Sequence, residues 1–435
     1  MAKSLGDGQS AVEHAALTDV GLRRANNQDT YAVALAGDET DWRRRGHLFM
    51  VADGMGAHAA GELASQMACE SVPHTYRKQL DRPPADALKS AIVAANATIH
   101  ERGQAHAEFQ GMGTTCSVLV LLPRAAIVAH VGDSRVYRLR GGKIEQLTFD
   151  HSLVWEMTAA GQMPRGEVAS FIPKNIITRS LGPRADVQID LEGPHELAPD
   201  DVFLMCSDGL SGQVKDEEMG AILATLSPAE AVRALVDMAN LRGGPDNVTA
   251  IVVKVLQVPD DHDGSSATTV AATDMPSAPI AQFLWVLMAL GLLLALLLAA
   301  SGNMPAALAS GLLAAGAAVV ALIVNLLKSS PPAPADVAGP LGSGPHATHS
   351  GAPDAARVAE LCQMAQQLRE AAKDEHWTLD WAKFNTFGEH AQAALVAGDF
   401  GRAVREYALA ISYMMNEIRH QPSRKDPRDS SVLDL

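Results

Sequence analysis

Short apolar runs rich in β-branched residues recur along the first 257 residues, and they predict β-strands. These runs are His47–Ala52, Thr115–Leu122, Ala126–Val131, Val202–Met205 and Val248–Leu256. Most are bounded by Gly, Asp or Pro, as strands usually are. Arg135–Leu139 follows a short Gly-Asp-Ser turn, so it is expected to form a hairpin with the run before it.

Helical segments are predicted between these strands, and one is marked by its capping residues. Ser227 and Glu230 have the spacing of a capping box, and Pro228 occupies the first helical position. The pair Gly243 and Gly244 is expected to end this helix. Strands and helices together predict one α/β (α+β) domain over residues 14–257, after an N-terminal tail of residues 1–13.

Two long uncharged stretches follow, at residues 280–300 and 306–327. Each would span about 30 Å as a helix, which is the thickness of a bilayer core. We therefore predict two transmembrane helices within residues 280–327; the alternative is a buried helical hairpin in a soluble domain. The flanking segments 258–279 and 328–353 are rich in Pro, Ala, Gly or Ser and are predicted to be linkers.

Helical periodicity returns in residues 354–420 and predicts a small all-α region. Phe387–Ala397 and Gly401–Ile411 are expected to pair as one hairpin that resembles a tetratricopeptide repeat. A lone repeat cannot bury its own faces, which favours one hairpin of a small helical bundle over a peptide-binding solenoid. From the layout of the chain we expect this region to bind a protein or to self-associate. Residues 421–435 are polar and are predicted to be a disordered tail.

The net charge of −15 makes the chain a poor binder of nucleic acid, whose phosphates would repel it. The four cysteines form no C-x-x-C pair, so neither a disulfide framework nor a zinc site is expected, and a reducing compartment is favoured. The N-terminus lacks a continuous apolar stretch, so we expect no signal peptide.

Four aspartates stand at the ends of predicted strands: Asp53, Asp133, Asp208 and Asp246. One Asp-Gly after a strand usually marks only a turn. Four of them in one domain can converge, and converging carboxylates need a cation to offset their repulsion. An all-oxygen site suits Mg²⁺ or Mn²⁺ better than zinc. Arg24 precedes this set and is either a phosphate clamp or an ordinary surface arginine.

Several motifs occur in a fixed order, and together they identify a family resemblance. They are TDVGLRRANNQD, VADGMGAH, GMGTT, VGDSRVYRL, LTFDHS, NIITRSLG, CSDGL and PDNVT. Residues 14–257 resemble the metal-dependent serine/threonine protein phosphatases of type 2C in their bacterial form. The resemblance implies an antiparallel β-sandwich flanked by helix pairs.

The resemblance also implies a metal site with two Mn²⁺ or Mg²⁺ ions. Asp53 matches the carboxylate that bridges the two ions, and Gly54 matches the residue that offers its carbonyl. Asp208 and Asp246 match the remaining ligands of the pair. Asp133 matches a ligand that, together with Asp208, holds a third and weaker ion in bacterial members.

Further positions follow from the same resemblance. Arg24 matches the phosphate-binding arginine, and Asp29 matches an acid that acts next to the metal shell through water. Residues Asp150 to Ile177 match a variable flap beside the active site. Gln28 departs from the glutamate that many members carry. His58 is either a proton donor near the leaving group or an exposed loop histidine.

The expected function is hydrolysis of phosphoserine and phosphothreonine on proteins, the substrates of serine/threonine kinases. A water activated by the ions would attack phosphorus, with Arg24 and Asp53 as the catalytic residues. Lys328 follows the second apolar stretch, which favours both domains on the cytoplasmic side of a bacterial inner membrane. The alternative is a membrane scaffold or sensor that binds phosphoproteins with little turnover.

Overall fold

The computed structural model describes residues 11–56, 59–161, 176–259 and 340–420, with a few helical positions between 297 and 315. Residues 1–258 and 337–435 form one unit, and residues 259–336 form another. No helix in the described ranges is both long and apolar enough to cross a membrane. The two predicted membrane stretches at 280–327 lie almost wholly outside the described residues.

The first unit is built on two antiparallel β-sheets. Its strands are β1 (Val12–Asp19), β2 (Asp29–Ala34), β3 (His47–Met55), β4 (Gly113–Thr114), β5 (Cys116–Leu121), β6 (Ala125–Val131), β7 (Arg135–Arg140), β8 (Lys143–Gln146), β9 (Asp190–Glu196), β10 (Val202–Cys206), β11 (Val248–Val255) and β12 (Ala347–Ser350). One sheet has the order β1-β11-β10-β7-β8-β12. The other has the order β2-β3-β5-β6-β9, and β4 extends it by pairing with β3.

Helices cover the outer faces of both sheets. They are α1 (Glu39–Arg45), α2 (Ala60–Lys78), α3 (Pro84–Ala105), α4 (Leu153–Ala159), α5 (Asp208–Ser211), α6 (Asp216–Thr225), α7 (Pro228–Leu241), α8 (Ala355–Asp374), α9 (Trp381–Val396) and α10 (Phe400–Arg419). The capping box predicted at Ser227 and Glu230 is confirmed at the start of α7.

The alternation of side chains along β3 shows how the layers form. Leu48 and Met50 pack into the apolar cluster shared with α2 and α3. Phe49 and Val51 point the other way, into the cluster between the two sheets. The apolar residues on the two faces of β3 therefore serve two layers at once. The predicted antiparallel sandwich with outer helix pairs is confirmed.

The hairpin predicted between β6 and β7 is wrong. Strand β6 pairs with β5 and β9 in one sheet, whereas β7 pairs with β8 and β10 in the other. The chain crosses between sheets at Gly132, whose φ of 115° and close approach to Thr115 suit glycine. A short turn in the sequence does not reveal which sheet the next strand joins.

The C-terminal region belongs to the same unit as the sandwich. Strand β12, within a segment interpreted from sequence as a linker, pairs with β8 and places Ala347 opposite Gln146. Helix α10 packs on α6 and α7, and its apolar residues join one cluster with the outer face of the first sheet. At this contact Arg405 forms an ion pair of 2.6 Å with Glu230. The C-terminal helices thus bury their apolar surface against the domain that precedes them.

Candidate metal and phosphate site

The predicted carboxylates are placed at the ends of strands from both sheets. Asp29 begins β2 and lies opposite Asp53 on β3 in the strand register. Asp208 follows β10 and begins α5, and Asp246 stands two residues before β11. Asp133 lies in the crossing between β6 and β7. One rim of the sandwich therefore holds all five.

Hydroxyl groups fix two of these aspartates. Ser207 Oγ donates a hydrogen bond of 2.7 Å to Asp29 Oδ2. Thr115 Oγ1 accepts a bond of 2.8 Å from the backbone N–H of Asp53 and lies 2.8 Å from Ser134 Oγ. The carboxylates are consequently held on a rigid frame of backbone and hydroxyl contacts.

Burial and mutual repulsion change the proton affinity of the set. Burial raises the pKa of Asp29 to about 7, and the charges of Asp208 and Asp246 add to the effect. Burial also raises the pKa of Asp53 well above its usual range, with further contributions from the charges of Asp29, Asp208, Asp133 and Asp246. The charges of all four neighbouring carboxylates thus raise the pKa of Asp53.

The two flanking carboxylates respond in the same way. Burial, together with the charge of Asp208, raises the pKa of Asp133 to about 7. The pKa of Asp208 is raised by burial and then by the charge of Asp246. Groups of one sign held this close carry an electrostatic cost that protons or metal ions relieve.

Three buried oxygens of the cluster have no hydrogen-bond partner among the described residues. They are Asp29 Oδ1, Asp133 Oδ1 and Asp208 Oδ1. Buried polar atoms are normally paired, so these three are free to act as ligands. Carboxylate oxygens are the ligands that Mg²⁺ and Mn²⁺ prefer, and the donor set therefore fits those ions.

No trio of His, Cys, Asp and Glu side chains in the described ranges forms a compact site around one ion. Close backbone approach adds to the frame at Gly54, where a Cβ would overlap the carbonyl of Gly61. Gly54 N–H also donates to the carbonyl of Gln28 at 3.1 Å.

Arg24 lies beside the cluster in the loop between β1 and β2. Its Nη2 donates to Asp246 Oδ2 at 2.7 Å, and half of its side chain is exposed. Asn247 Nδ2 holds the same loop by donating to the carbonyls of Val20 and Asn26. The structure therefore presents a guanidinium to solvent at the edge of the carboxylate cluster, where it can contact an anion.

The structure brings together every predicted site residue that it describes. His58 and residues 162–175 of the expected flap lie outside the described residues. Sequence reasoning missed two supporting residues, Ser207 and Asn247. Each is adjacent in sequence to a predicted ligand, Asp208 or Asp246, and this adjacency was the available signal.

The chain is similar in sequence to known protein phosphatases. The family model described as protein phosphatase 2C matches residues 23–241. A putative protein phosphatase 2C-type of Streptococcus pyogenes is 39% identical over 241 residues, covering 54% of this chain and 94% of that protein. The protein phosphatase PhpP of Streptococcus pneumoniae is 38% identical over 250 residues, covering 56% and 98%.

A solved structure agrees in fold. The serine/threonine phosphatase Stp1 from Staphylococcus aureus aligns with a TM-score of 0.52 and 30% identity, covering 59% of this chain and 99% of that one. These three proteins are thus matched over nearly their whole length by little more than half of this chain. The rest of the chain lies outside the alignments.

Proposed function

Because the chain belongs to the protein phosphatase 2C family of metal-dependent serine/threonine protein phosphatases, we propose that its carboxylate cluster holds a pair of Mn²⁺ or Mg²⁺ ions for phosphoprotein hydrolysis. Asp53, with Asp208 and Asp246, would bind the pair, and the carbonyl of Gly54 would complete it. Asp133, whose Oδ1 has no partner among the described residues, would help to bind a third ion.

The reaction would be a single displacement at phosphorus. When bound, the metal ions supply an activated water and offset charge on the phosphoryl oxygens. Arg24 binds the phosphoryl group from the solvent side, where its exposed guanidinium has room for two oxygens. Asp29, held by the hydroxyl of Ser207, would act through a water at the edge of the cluster.

One observation supports this proposal above the others. Three buried carboxylate oxygens on one rim of the sandwich have no partner among the described residues, and Arg24 lies on the same rim. A cluster of acids that served only the fold would be paired with cations or hydrogen-bond donors. Ligands for hard cations beside a phosphate-binding guanidinium form the arrangement that metal-assisted phosphoryl transfer needs.

The test is phosphate release from phosphoserine, phosphothreonine and phosphotyrosine peptides by the full chain with Mn²⁺, before and after chelation. We expect metal-dependent activity on the first two peptides and its loss in Asp208→Ala. Asp81→Ala, at an exposed aspartate outside the cluster, is the matched control. Phosphopeptide binding without turnover would instead support the scaffold alternative.

We further propose that residues 280–327 attach the enzyme to a bacterial inner membrane with both flanking regions in the cytoplasm. The support is the sequence itself, because two uncharged stretches of this length match the thickness of a bilayer core. Fractionation of cells that express the full chain or a variant lacking residues 280–327 tests this. Membrane recovery of the full chain alone is expected, and equal recovery of both in the soluble fraction would contradict it.

A further inference from the structure

A cavity of about 400 Å³ lies between helix α4, the β7–β8 edge and the C-terminal strand β12. We call it the α4–β12 cavity. It is lined on one side by Gln146, Phe149, Trp155 and Asp216, and on the other by His346 and Ala347. Its volume falls in the range of small-ligand sites. None of the residues assigned above to metal or phosphate lines it.

Aromatic rings form much of the cavity wall. Phe149 packs edge-to-face on Trp155 with ring centroids 5.4 Å apart, and His346 packs on Phe149 at 5.6 Å. Arg135 lies over the Trp155 ring at 5.6 Å. Three rings at steep angles favour a flat, rigid guest that can stack on one ring while touching the edges of the others.

Two polar side chains of the wall differ in what they offer a guest. Gln146 is 1% exposed and its Oε1 is fully buried, so a guest in the cavity cannot reach that atom. Its Nε2 donates to Thr148 O and Asp150 Oδ1, both at 2.8 Å. Asp216 Oδ1 accepts from the Tyr137 hydroxyl, whereas Asp216 Oδ2 lies 3.6 Å from His349 Nε2, beyond hydrogen-bond distance.

The one strong cation of the wall is already engaged. Arg135 donates to both carboxylate oxygens of Asp150 at 2.7–3.0 Å and to the Tyr137 hydroxyl at 2.9 Å. It therefore has little left to offer an anionic guest. A guest can instead donate an N–H to Asp216 Oδ2, the carboxylate oxygen that Tyr137 leaves without a hydrogen bond.

We propose that the α4–β12 cavity binds a small planar heteroaromatic compound with an N–H donor, of the purine or pyrimidine base class. The aromatic walls take its ring faces, and Asp216 Oδ2 accepts from its amino group. Because β12 lies outside residues 23–241, which the family model matches, the cavity is completed only by the C-terminal part of this chain. The bound base would join that extension to α4, which follows Asp150 at the start of the expected flap.

The first test compares two probes on the full chain by isothermal titration. In 9-methyladenine the exocyclic amino group is the only donor, and in 6,9-dimethylpurine a methyl group replaces it. We expect 9-methyladenine to bind with a dissociation constant on the order of 0.1–1 mM, as fragments of this size do. The dimethyl compound should bind about tenfold more weakly, since one hydrogen bond is lost.

A pair of neighbouring substitutions locates the binding. Ala347→Phe fills the cavity and should weaken 9-methyladenine binding at least about tenfold. Thr348→Phe, on the opposite face of the same strand, is exposed and should leave it unchanged. Absence of 9-methyladenine binding up to about 10 mM, equal affinity for both probes, or equal binding by the two variants would overturn the proposal. The probe comparison needs no variant, so misfolding of Ala347→Phe cannot obscure the result.

Discussion

At the scale of single residues, the site is a cluster of aspartates that the fold keeps close together although their charges repel each other. The pKa of Asp29 is raised from its ordinary value of 3.8 to about 7, chiefly by burial. Between those two pH values the folded protein holds a proton that the unfolded chain releases. The contribution of Asp29 to stability is therefore fully present below pH 3.8 and is lost as the pH rises to about 7.

This sign gives a prediction for the protein without divalent ions. In chelator, the melting temperature should fall as pH rises from about 5 to about 7.5, and Mn²⁺ at the upper pH should restore about 5 °C or more. Asp53→Asn removes the central charge, so it should flatten the pH dependence and abolish the Mn²⁺ effect. Asp81→Asn serves as the control for an exposed acid. An unchanged pH profile in Asp53→Asn would refute the electrostatic account.

Arg24 allows a second prediction at this scale. Its exposed guanidinium is paired with Asp246 but has room for an anion. Arg24→Ala should lower kcat/KM for a phosphothreonine peptide about 10–100-fold, because a charge-assisted contact to phosphate is lost. Arg24→Lys should recover only part of it, since an ammonium lacks the planar fork. Steady-state kinetics decide the matter, and an equal loss in the neighbouring Arg23→Ala would point to loop disturbance instead.

At the scale of elements, local patterns predicted the strands but not their partners. The apolar run at β3 and the capping box of α7 are determined by neighbours in sequence, and both were located. The partner of β7 depends on a crossing at Gly132, and β12 depends on β8, which is some 200 residues away in the chain. Strand β12 has the sequence ATHS between Gly344 and Gly351, and it shows no apolar alternation. An edge strand that pairs only through backbone hydrogen bonds needs no particular side-chain pattern, so the sequence does not reveal it.

The docking of α10 on α7 yields a prediction about two ion pairs. Arg419 donates to the buried Asp237 at 2.8 Å and lies 3.5 Å from Asp19, which in turn accepts from Gly21 in the loop that carries Arg24. Burial raises the pKa of Asp237 to about 6 even with this partner. Arg419→Ala should therefore destabilise the protein by about 1–3 kcal/mol at pH 8.

The matched comparison is Arg405→Ala, which breaks a more exposed pair with Glu230 and should cost less than about 1 kcal/mol. Lowering the pH to about 5 should reduce the cost of Arg419→Ala, because Asp237 then carries a proton. The double variant Arg419→Ala, Asp237→Asn should recover much of the loss. Chemical denaturation measures all three, and equal costs for the two arginines would show that burial is not the determinant.

At the scale of the whole molecule, the catalytic sandwich and the C-terminal helices share one apolar cluster. The cluster runs from Leu204 on β10 through Leu235 on α7 to Ile411 on α10. Sequence periodicity predicted the helices, but it contained no information on what covers their apolar faces. The structure shows that the C-terminal helices pack against the catalytic domain through this cluster.

Shared packing predicts that the two regions unfold together. In a variant with Trp42, Trp155 and Trp285 replaced by Phe, the remaining Trp377 and Trp381 report only on the C-terminal region, where both pack against the shared cluster. Mn²⁺ bound at the proposed carboxylate site, at 100 times its dissociation constant, would stabilise the folded state by about 2.7 kcal/mol. If the unit is cooperative, the tryptophan melting midpoint and the loss of phosphatase activity should rise by the same few degrees. If Mn²⁺ protects the activity but leaves the tryptophan melting midpoint unchanged, the helices unfold independently. The packing of α10 on α7 would then be too weak to couple the two regions.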